Sequence, residues 1–337
     1  MKVMKEVMNV FVTGSTGFIG RKLTERLVQL GYFVRGLARR VEGLPTVDGV
    51  EYVCGDVTDI GSLRRGMSGC RYVFHLAAYA NGWARNSTTY NNINITGTKN
   101  VFSVAKEFSV ERLVWTSTIV TLGPTPEGVI GDESMPRITD KFLTEYERSK
   151  TEMEQEAMRW IAEGLPLVIV NPTRVYGPGL LSESNTVTQL ISMFRRGRMP
   201  VLLNYGRNVG NYVFVDDVVC GLILALERGR IGERYILGGE NVSLKGFFET
   251  INKIDNKKRY QREIYCYTPL LLAYIFEWNA KLFGIYPLFT PGWIRTFLVD
   301  WAYSSKKAES ELGYKITSLE NGIRKTCKWL DENKTHD

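Results

Sequence analysis

The chain has 337 residues, of which 44% are hydrophobic and 23% are charged, so it is neither disordered nor fibrous. Its net charge of +7 suits an anionic ligand, but no long Lys/Arg block predicts nucleic-acid binding. The five cysteines form no C-x-x-C pair and only His75 and His336 are histidines, so we expect no metal, no disulfide framework and no Ser-His-Asp hydrolase. A polar N-terminus and the lack of an apolar run of ~18 residues favour a cytoplasmic protein.

Apolar strands alternate with helical segments through the first half of the chain. The predicted strands are 7–13, 33–38, 50–56, 71–78, 112–118 and 167–172. The predicted helices include 18–30, 91–108 and 141–163. Strands that alternate with helices need crossover connections, which predict a doubly wound α/β fold with a parallel sheet between two helical layers.

Beyond residue 173 the strand and helix signals become shorter, and aromatic, proline and glycine residues become more frequent. Two segments, 213–218 and 233–239, resemble strands that return to the sheet. We therefore expect a first domain over 1–172, completed by returning segments at about 212–237. The remaining segments, 173–211 and 238–337, are expected to form a smaller, substrate-binding lobe.

The first predicted strand runs into T-G-S-T-G-F-I-G, in which three glycines are spaced by three. Glycine permits a tight turn and a close approach of the backbone to a pyrophosphate, and the following helix offers its N–H groups to that anion. Between a strand and a helix, this spacing predicts a dinucleotide site. The residues of the predicted site are Gly14, Ser15, Thr16, Gly17, Phe18 and Ile19.

The end of the second strand predicts which dinucleotide binds. An NAD site usually places an acidic residue there to hold the ribose hydroxyls. Here Ala38 occupies that position and is followed by Arg39 and Arg40. A guanidinium can pair with a 2′-phosphate, so we expect NADP rather than NAD, with two solvated loop arginines as the alternative. Asp56, after the third strand, is expected to bond the adenine amine.

Six motifs occur in one order along the chain: G-x-x-G-x-x-G at 14–20, G-D-V-T-D at 55–59, H-L-A-A at 75–78, N-I-T-G-T at 94–98, Y-E-R-S-K at 146–150 and N-P-T-R-V-Y-G-P-G at 171–179. Together they resemble the extended short-chain dehydrogenase/reductase superfamily, also called the NAD-dependent epimerase/dehydratase superfamily. V-R-G-L-A-R-R, W-T-S-T and Y-S-S-K-K-A-E-S-E-L-G-Y are most similar to its branch of dihydroflavonol-4-reductase-like and 3β-hydroxysteroid-dehydrogenase-like enzymes and hopanoid-associated sugar epimerases. The resemblance implies a Rossmann-type fold with a smaller C-terminal substrate lobe.

The resemblance also implies catalytic roles. Tyr146 is the implied general acid/base, and Lys150, one helical turn away, is implied to lower the pKa of the phenol and to hold the nicotinamide ribose. A hydroxyl at the end of the fifth strand is implied to polarise the substrate oxygen. Thr118 is the expected one and Ser117 the alternative. Asn94 is implied to support Lys150 through a water molecule.

The implied cofactor site extends beyond the glycine turn, with residues 75–78 as a wall of small residues under the nucleotide. Its further members are Asp56, Val57, Leu76, Ala77, Ala78, Lys150, Pro172, Thr173 and Val175. The resemblance also implies a homodimer formed through the helices at 91–108 and 141–163.

These patterns predict an oxidoreductase that transfers a hydride between NADPH and a carbonyl or secondary alcohol of a small or hydrophobic substrate. The alternatives are a nucleotide-sugar epimerase or dehydratase with tightly bound cofactor, and a non-catalytic NADP-binding sensor. Nucleotide-sugar relatives usually carry an arginine where Gly210 stands here, although Arg207 or Arg174 could replace it.

Two expectations concern the substrate lobe. An apolar pocket wall is expected from Tyr205, Tyr212 and Phe214. The apolar segment 268–289 is too short to span a bilayer but has the character of a peripheral membrane contact. Its alternative role is a lid packed on the substrate lobe.

Overall fold

The computed structural model describes residues 8–198, 201–260, 262–264, 267–284, 287 and 289–333. Strands and helices alternate through its first half. The strands there are β1 (Asn9–Thr13), β2 (Phe33–Ala38), β3 (Val50–Cys54), β4 (Tyr72–His75), β5 (Arg112–Thr116) and β6 (Leu167–Pro172). The helices are α1 (Phe18–Gln29), α2 (Ile60–Met67), α3 (Thr88–Tyr90), α4 (Thr98–Glu107) and α5 (Glu145–Ala162), and a π-helical segment, Asn91–Gly97, joins α3 to α4.

Strands in the second half are shorter on average, and its elements are less regular in order. Its strands are β7 (Arg174–Tyr176), β8 (Val201–Leu203), β9 (Val209–Phe214), β10 (Arg234–Leu237), β11 (Glu240–Ser243) and β12 (Arg262–Ile264). Its helices are α6 (Thr186–Arg195), α7 (Val215–Arg228), α8 (Leu244–Asp255), α9 (Tyr267–Phe283), α10 (Pro291–Thr296) and α11 (Leu319–Glu332).

Seven strands of the described residues form one sheet in the order β10-β6-β5-β4-β1-β2-β3, and every neighbouring pair is parallel. From β1 the chain continues to β2 and β3 on one side and then crosses to β4 on the other. The carboxyl ends of β1 and β4 therefore border the crevice in which open α/β sheets bind ligands. The predicted doubly wound, Rossmann-type fold is confirmed.

Each face of this sheet has its own apolar core. Helices α1 and α7 cover one face, where Leu23 and Leu222 pack among the valines of the strands. Helices α2, α4 and α5 cover the other face, where Phe102, Trp115 and Met153 are fully buried. Each such side chain contributes roughly 1.5–3 kcal/mol when it is fully buried, so both helical layers are held firmly against the crevice.

Three predicted strands extend beyond their observed ends. β3 stops at Cys54, β4 at His75 and β5 at Thr116, whereas the predicted strands continue to residues 56, 78 and 118. The residues that follow leave the sheet at its carboxyl edge and form the loops of the crevice. The sequence pattern did not distinguish these loops from the strands because their side chains are also small or apolar.

Of the two predicted returning strands, one is right and one is wrong. β10 joins the main sheet beside β6 as predicted for 233–239. The segment 213–218 instead contains the end of β9, which belongs to a separate three-stranded sheet with β11 and β7, and the start of α7. Asp216 and Asp217 lie in the first turn of α7, where carboxylates interact favourably with the positive end of the helix dipole.

The three-stranded sheet and helices α6, α8 and α11 form a further core beside the main sheet. Phe194, Phe247 and Ile323 are at its centre. Helices α9 and α10 contact each other next to this core. In the parts of the chain that the structure describes, no helix combines the length and the apolar character that a membrane crossing requires.

Candidate active site

The turn between β1 and α1 leaves no room for side chains at two of its glycines. Gly14 has a left-handed backbone with φ of 71°, and a Cβ atom on it would lie 2.8 Å from the backbone nitrogen of Ala77. A Cβ atom on Gly20 would lie 2.0 Å from the carbonyl oxygen of Gly14. The turn therefore packs backbone against backbone at the end of β4.

The N-cap position of α1 has no side chain that accepts a hydrogen bond from the N–H groups of the first turn. Gly17 is the N-cap residue and makes no side-chain cap. The buried Ser15 hydroxyl donates instead to a carbonyl oxygen at the end of β2, at 3.1 Å. Phe18 is buried, whereas Thr16 and Ile19 are half-buried. Uncapped N–H groups at the positive end of a helix fit a pyrophosphate, so this turn fits the dinucleotide predicted from its glycines.

The loop after β4 is anchored by buried His75. Its Nδ1 lies 2.7 Å from Thr13 Oγ1 and its Nε2 lies 3.0 Å from Thr98 Oγ1. The Thr13 hydroxyl accepts a hydrogen bond from the Ala77 N–H, so its own proton is available for Nδ1 and the ring is assigned as the Nε2-protonated tautomer. Burial lowers the pKa of His75 to about 3, so the bridge is uncharged and holds 76–78 beside the glycine turn.

Arg39 and Arg40 follow β2 at the same edge of the sheet, and both are exposed. Within the described part of the chain neither guanidinium has an ion-pair or hydrogen-bond partner. Asp56, after β3, accepts hydrogen bonds through Oδ1 from the Thr58 N–H at 2.9 Å and from the Thr58 hydroxyl at 2.8 Å. Val57 is buried beside it.

Tyr146 lies in the first turn of α5. This helix begins where the Thr144 hydroxyl accepts a hydrogen bond from the Glu147 N–H at 3.1 Å. The Thr118 side chain lies next to the Tyr146 hydroxyl. Burial raises the pKa of Tyr146 to about 12, and the contact with Thr118 offsets only part of that rise. At neutral pH the phenol therefore carries its proton and is a hydrogen-bond donor.

Lys150, one turn further along α5, is 1% exposed. Its Nζ donates to the Thr116 carbonyl oxygen at 3.0 Å and lies 4.7 Å from the centroid of the Trp115 ring. Burial lowers the pKa of Lys150 to about 7, and the Glu154 carboxylate opposes that change. Lys150 is not among the groups that shift the pKa of Tyr146 here, so the predicted lowering of that pKa stays a prediction.

Ser117 and Thr118 both follow β5 but have different partners. The Ser117 hydroxyl is buried and donates to Glu154 Oε2 at 2.6 Å. Asn171 Nδ2 donates to the same carboxylate oxygen at 3.1 Å and to the Thr118 carbonyl oxygen at 3.0 Å. The Thr118 side chain faces Tyr146 and an adjoining cavity. The arrangement therefore favours Thr118 over Ser117 as the hydroxyl available to a substrate.

Asn94 is buried in the π-helical segment between α3 and α4. Its Oδ1 accepts from the Tyr79 N–H at 2.7 Å, and its Nδ2 donates to the Ser149 hydroxyl at 2.9 Å. Ser149 in turn donates to the Tyr146 carbonyl oxygen at 3.0 Å. Asn94 thus connects the loop after β4 with the first turn of α5, and its direct hydrogen bonds within the described residues do not include Lys150.

A cavity of about 180 Å³ lies beside Thr118. The apolar residues that line it are Ile119, Val120, Val187, Leu190, Trp293, Phe297 and Trp301. Its polar and charged residues are Thr118, Thr173, Arg174, Thr186, Asn211 and Thr296. Of the cofactor residues predicted after β6, Pro172 ends the strand, Thr173 donates to Asn211 Oδ1 at 2.8 Å and Val175 packs on the core.

The pocket wall predicted from three aromatic residues is wrong. Tyr212 and Phe214 are 2% and 1% exposed because both rings pack in the apolar core beside the main sheet, and the Tyr212 ring stacks on Phe247 with centroids 4.4 Å apart. Tyr205 is not among the residues that line the cavity. Exposed Arg207 lies over the Tyr205 ring.

Two parts of the site escaped prediction from the sequence. The aromatic residues that line the cavity come from α10 and the turn after it. The start of α10 could have been predicted from the sequence, because Thr290 caps the helix and Pro291 follows at its first position. The second part is Glu154, which is 3% exposed and faces the same way as Lys150 because it lies four residues further along α5.

A glycine turn at the β1–β4 crevice, with a Tyr–Lys pair on one helix and a hydroxyl after β5, is the arrangement of a dinucleotide-dependent enzyme of the short-chain dehydrogenase/reductase type. A family model described as "NAD dependent epimerase/dehydratase family" matches residues 10–238. The chain belongs to this family, the extended short-chain dehydrogenases/reductases, as the sequence motifs predicted.

Individual relatives cover nearly the whole chain. A protein of Synechocystis sp. with the provisional name dihydroflavonol 4-reductase is 32% identical over 96% of this chain and 94% of its own length. The crystal structure of gox2253 is 32% identical, with a TM-score of 0.81 over 98% of this chain and 99% of that one. The UDP-glucose 4-epimerase of Thermotoga maritima, at 23% identity, has the same fold, with a TM-score of 0.79 over 97% of this chain and 100% of that one.

Proposed function

We propose that the protein is an NADP-dependent reductase of small or hydrophobic carbonyl compounds, with Tyr146 as the general acid. The observation that carries the proposal is the placement of Tyr146 next to Thr118, which lines a mostly apolar cavity. The protonated phenol can donate to an oxygen bound there. The similarity to a protein named as a reductase supports this direction of reaction.

In this proposal Tyr146 and Thr118 both donate hydrogen bonds to the carbonyl oxygen of the substrate. Two donors in a partly desolvated site stabilise the negative charge that develops on that oxygen, and Tyr146 then transfers its proton to it. The reduced nicotinamide, when bound, supplies the hydride. Lys150 holds the end of β5 through Thr116 and, one turn after Tyr146 on α5, is proposed to position the nicotinamide ribose.

We also infer that NADP is preferred over NAD. The support is the pair of exposed, unpaired guanidinium groups of Arg39 and Arg40 at the end of β2, where an acidic residue would otherwise hold the ribose. The glycine turn and the first turn of α1 are proposed to hold the pyrophosphate. Asp56 has its second carboxylate oxygen available for the adenine amine.

A test of the reductase proposal is NADPH oxidation with a panel of aliphatic, aromatic and steroidal ketones and aldehydes. We expect substrate-dependent oxidation by the wild-type protein and its loss in Tyr146→Phe. The purified protein is expected to carry no stoichiometric nicotinamide. No oxidation with any carbonyl compound, together with tightly bound cofactor, would instead support an epimerase.

The epimerase or dehydratase remains the second candidate, favoured by the fold shared with UDP-glucose 4-epimerase and by a cation, Arg174, in the cavity. Calorimetry with UDP and dTDP in the presence of NADP separates the two. Micromolar binding of either nucleotide would contradict the carbonyl-reductase proposal. Arg207 lies outside the lining of the cavity, so we do not expect it to contribute.

We further propose that α9 contacts a membrane surface. Leu271, Ile275, Trp278 and Leu282 recur at helical spacing and are all exposed, whereas Ala273 and Ala280 on another side are buried. Because α9 has apolar residues on its exposed side as well as on its buried side, we expect its exposed side to contact an additional partner. Flotation with anionic vesicles tests this: wild-type protein should float and Trp278→Ser should float less, whereas no flotation of the wild type would leave α9 as a lid.

The homodimer implied through 91–108 and 141–163 also stays a proposal. Light scattering of the purified chain is expected to give twice the mass of one chain. A monomer across the micromolar range would contradict it.

A further inference from the structure

Arg174 is the only charged residue among the described residues that line the cavity beside Thr118. It begins β7 immediately after Thr173, the residue that follows the end of β6, and its backbone is held by the pairing of β7 with β9. Its guanidinium is half-buried rather than solvated. The positive charge therefore belongs to the wall of the cavity and not to the outer surface.

The guanidinium is positioned by neutral groups. Its Nη2 donates to the Thr296 carbonyl oxygen at 2.8 Å and its Nη1 to the Tyr212 hydroxyl at 3.3 Å. The Phe297 ring lies 4.5 Å from the guanidinium carbon and the Tyr212 ring 5.6 Å from it. These contacts fix the plane of the group and leave other N–H donors unused.

No carboxylate compensates this charge within the described part of the chain. Two other partly buried arginines have carboxylate partners: Arg195 pairs with Asp255 and Asp331, and Arg137 pairs with Glu147. A cation held among aromatic rings without a counter-ion costs free energy that an incoming anion would recover. The arrangement is therefore that of a preorganised anion site.

Gly210 makes room for this orientation. A Cβ atom at this position would lie 2.8 Å from Arg174 Nη1 and 2.9 Å from the Tyr212 ring. A larger residue at 210, such as the arginine that nucleotide-sugar relatives usually carry, would displace the guanidinium. The absence of a side chain at Gly210 thus leaves space for the Arg174 guanidinium.

We propose that Arg174 binds the carboxylate of an oxo acid whose apolar part packs against Val187, Leu190 and Trp293. The inference rests on the proposed carbonyl-reductase function and names its substrate class. The cavity of about 180 Å³ contains one cation and is much smaller than the 300–1,000 Å³ typical of drug-sized ligands. A compact monoanion fits these limits better than a diphosphate with its attached sugar and base.

The reaction then balances simply. The carbonyl carbon accepts a hydride from reduced nicotinamide, and the carbonyl oxygen accepts the proton of Tyr146. The products are a hydroxy acid and oxidised nicotinamide, and the phenolate regains its proton from solvent. Arg174 holds the carboxylate throughout and takes no part in the transfer, so it is a specificity-determining residue.

The test uses matched pairs of acid and methyl ester: 2-, 3- and 4-oxooctanoate, each with its ester, as substrates for wild type, Arg174→Met, Arg174→Lys and the control Arg207→Met. We expect the wild type to prefer one acid over its ester by roughly 10- to 100-fold in kcat/KM, mainly through KM, as for a charge-assisted hydrogen bond. Arg174→Met should abolish the preference, Arg174→Lys should restore part of it, and Arg207→Met should keep it.

Binding separates this inference from the reductase proposal. Calorimetry with octanoate and 3-hydroxyoctanoate in the presence of NADP needs no turnover, so it tests Arg174 even if no carbonyl compound is reduced. We expect binding to the wild type that weakens at least tenfold in Arg174→Met. Equal rates and affinities for acid and ester in the wild type, or a preference that survives Arg174→Met, would overturn the assignment. So would micromolar binding of UDP or dTDP that depends on Arg174, because the anion would then be a diphosphate.

Discussion

The two sides of the crevice are built in different ways. On the nucleotide side, the β1–α1 turn and the loop after β4 pack backbone against backbone. The short contact distances leave no room for a side chain at Gly14 or Gly20. On the substrate side, the cavity is formed by residues from the segment after β5 and from β7, β9, α6 and α10, which are far apart in the chain. A site made of backbone leaves a short motif in the sequence, whereas a site made of distant side chains leaves none.

A large difference is expected between substitutions of two neighbouring hydroxyl residues, Ser117 and Thr118, which lie between the nucleotide side and the substrate side. Thr118→Ala should lower kcat roughly 100- to 1,000-fold, because it removes a donor to the substrate oxygen. Ser117→Ala should keep most activity but lower the free energy of unfolding by about 1–3 kcal/mol, because buried Glu154 loses a hydrogen bond. Steady-state kinetics and urea unfolding of both variants measure this. The reverse pattern would make Ser117 the catalytic hydroxyl.

On the nucleotide side, Gly20→Ala should weaken NADPH binding roughly 10- to 100-fold, since its Cβ atom must displace the carbonyl of Gly14. Gly82→Ala is the matched control, because no atom lies within 4 Å of the added carbon. Fluorescence titration with NADPH compares the two variants. If both bound NADPH like the wild type, the glycine turn would not be the cofactor site.

A smaller effect is expected from the two arginines after β2. We expect the wild-type protein to bind NADPH roughly tenfold more tightly than NADH, which corresponds to the free energy of one charge-assisted phosphate contact. The double variant Arg39→Ala, Arg40→Ala should lose this preference. NADH affinity should change little, which serves as the internal control. An unchanged preference would return both arginines to the role of solvated loop residues.

A further prediction concerns stability. The folded pKa of Lys150 is about 7 against an ordinary lysine value of 10.5, so between these values the unfolded chain binds more protons and wild-type stability rises with pH. Lys150→Met removes the buried ammonium and should therefore unfold at higher urea than the wild type at pH 6.5, with the difference shrinking toward pH 10. Lys106→Met, at an exposed lysine, should show no such trend.

The sequence predicted the elements of the main sheet well because β2 and β6 are buried runs that agree with the structure at both ends. It failed at 213–218, where the same apolar pattern crosses from β9 into α7 and only the two aspartates mark the change. It also misjudged Tyr212 and Phe214, since strand residues do not reveal whether helix α8 or a cavity lies above them. Arg174 was visible in the sequence, but its neutral partners and its place in the cavity were not.

The central claim is that Tyr146 gives the proton to the substrate oxygen. The most direct measurement is single-turnover oxidation of prebound NADPH by wild type and Tyr146→Phe, with the best substrate of the carbonyl panel. The account predicts that hydride transfer slows roughly 100- to 10,000-fold in the variant while NADPH affinity stays within a few fold, because the ring still packs and only the proton donor is lost. A variant that kept most of the wild-type rate would contradict the account.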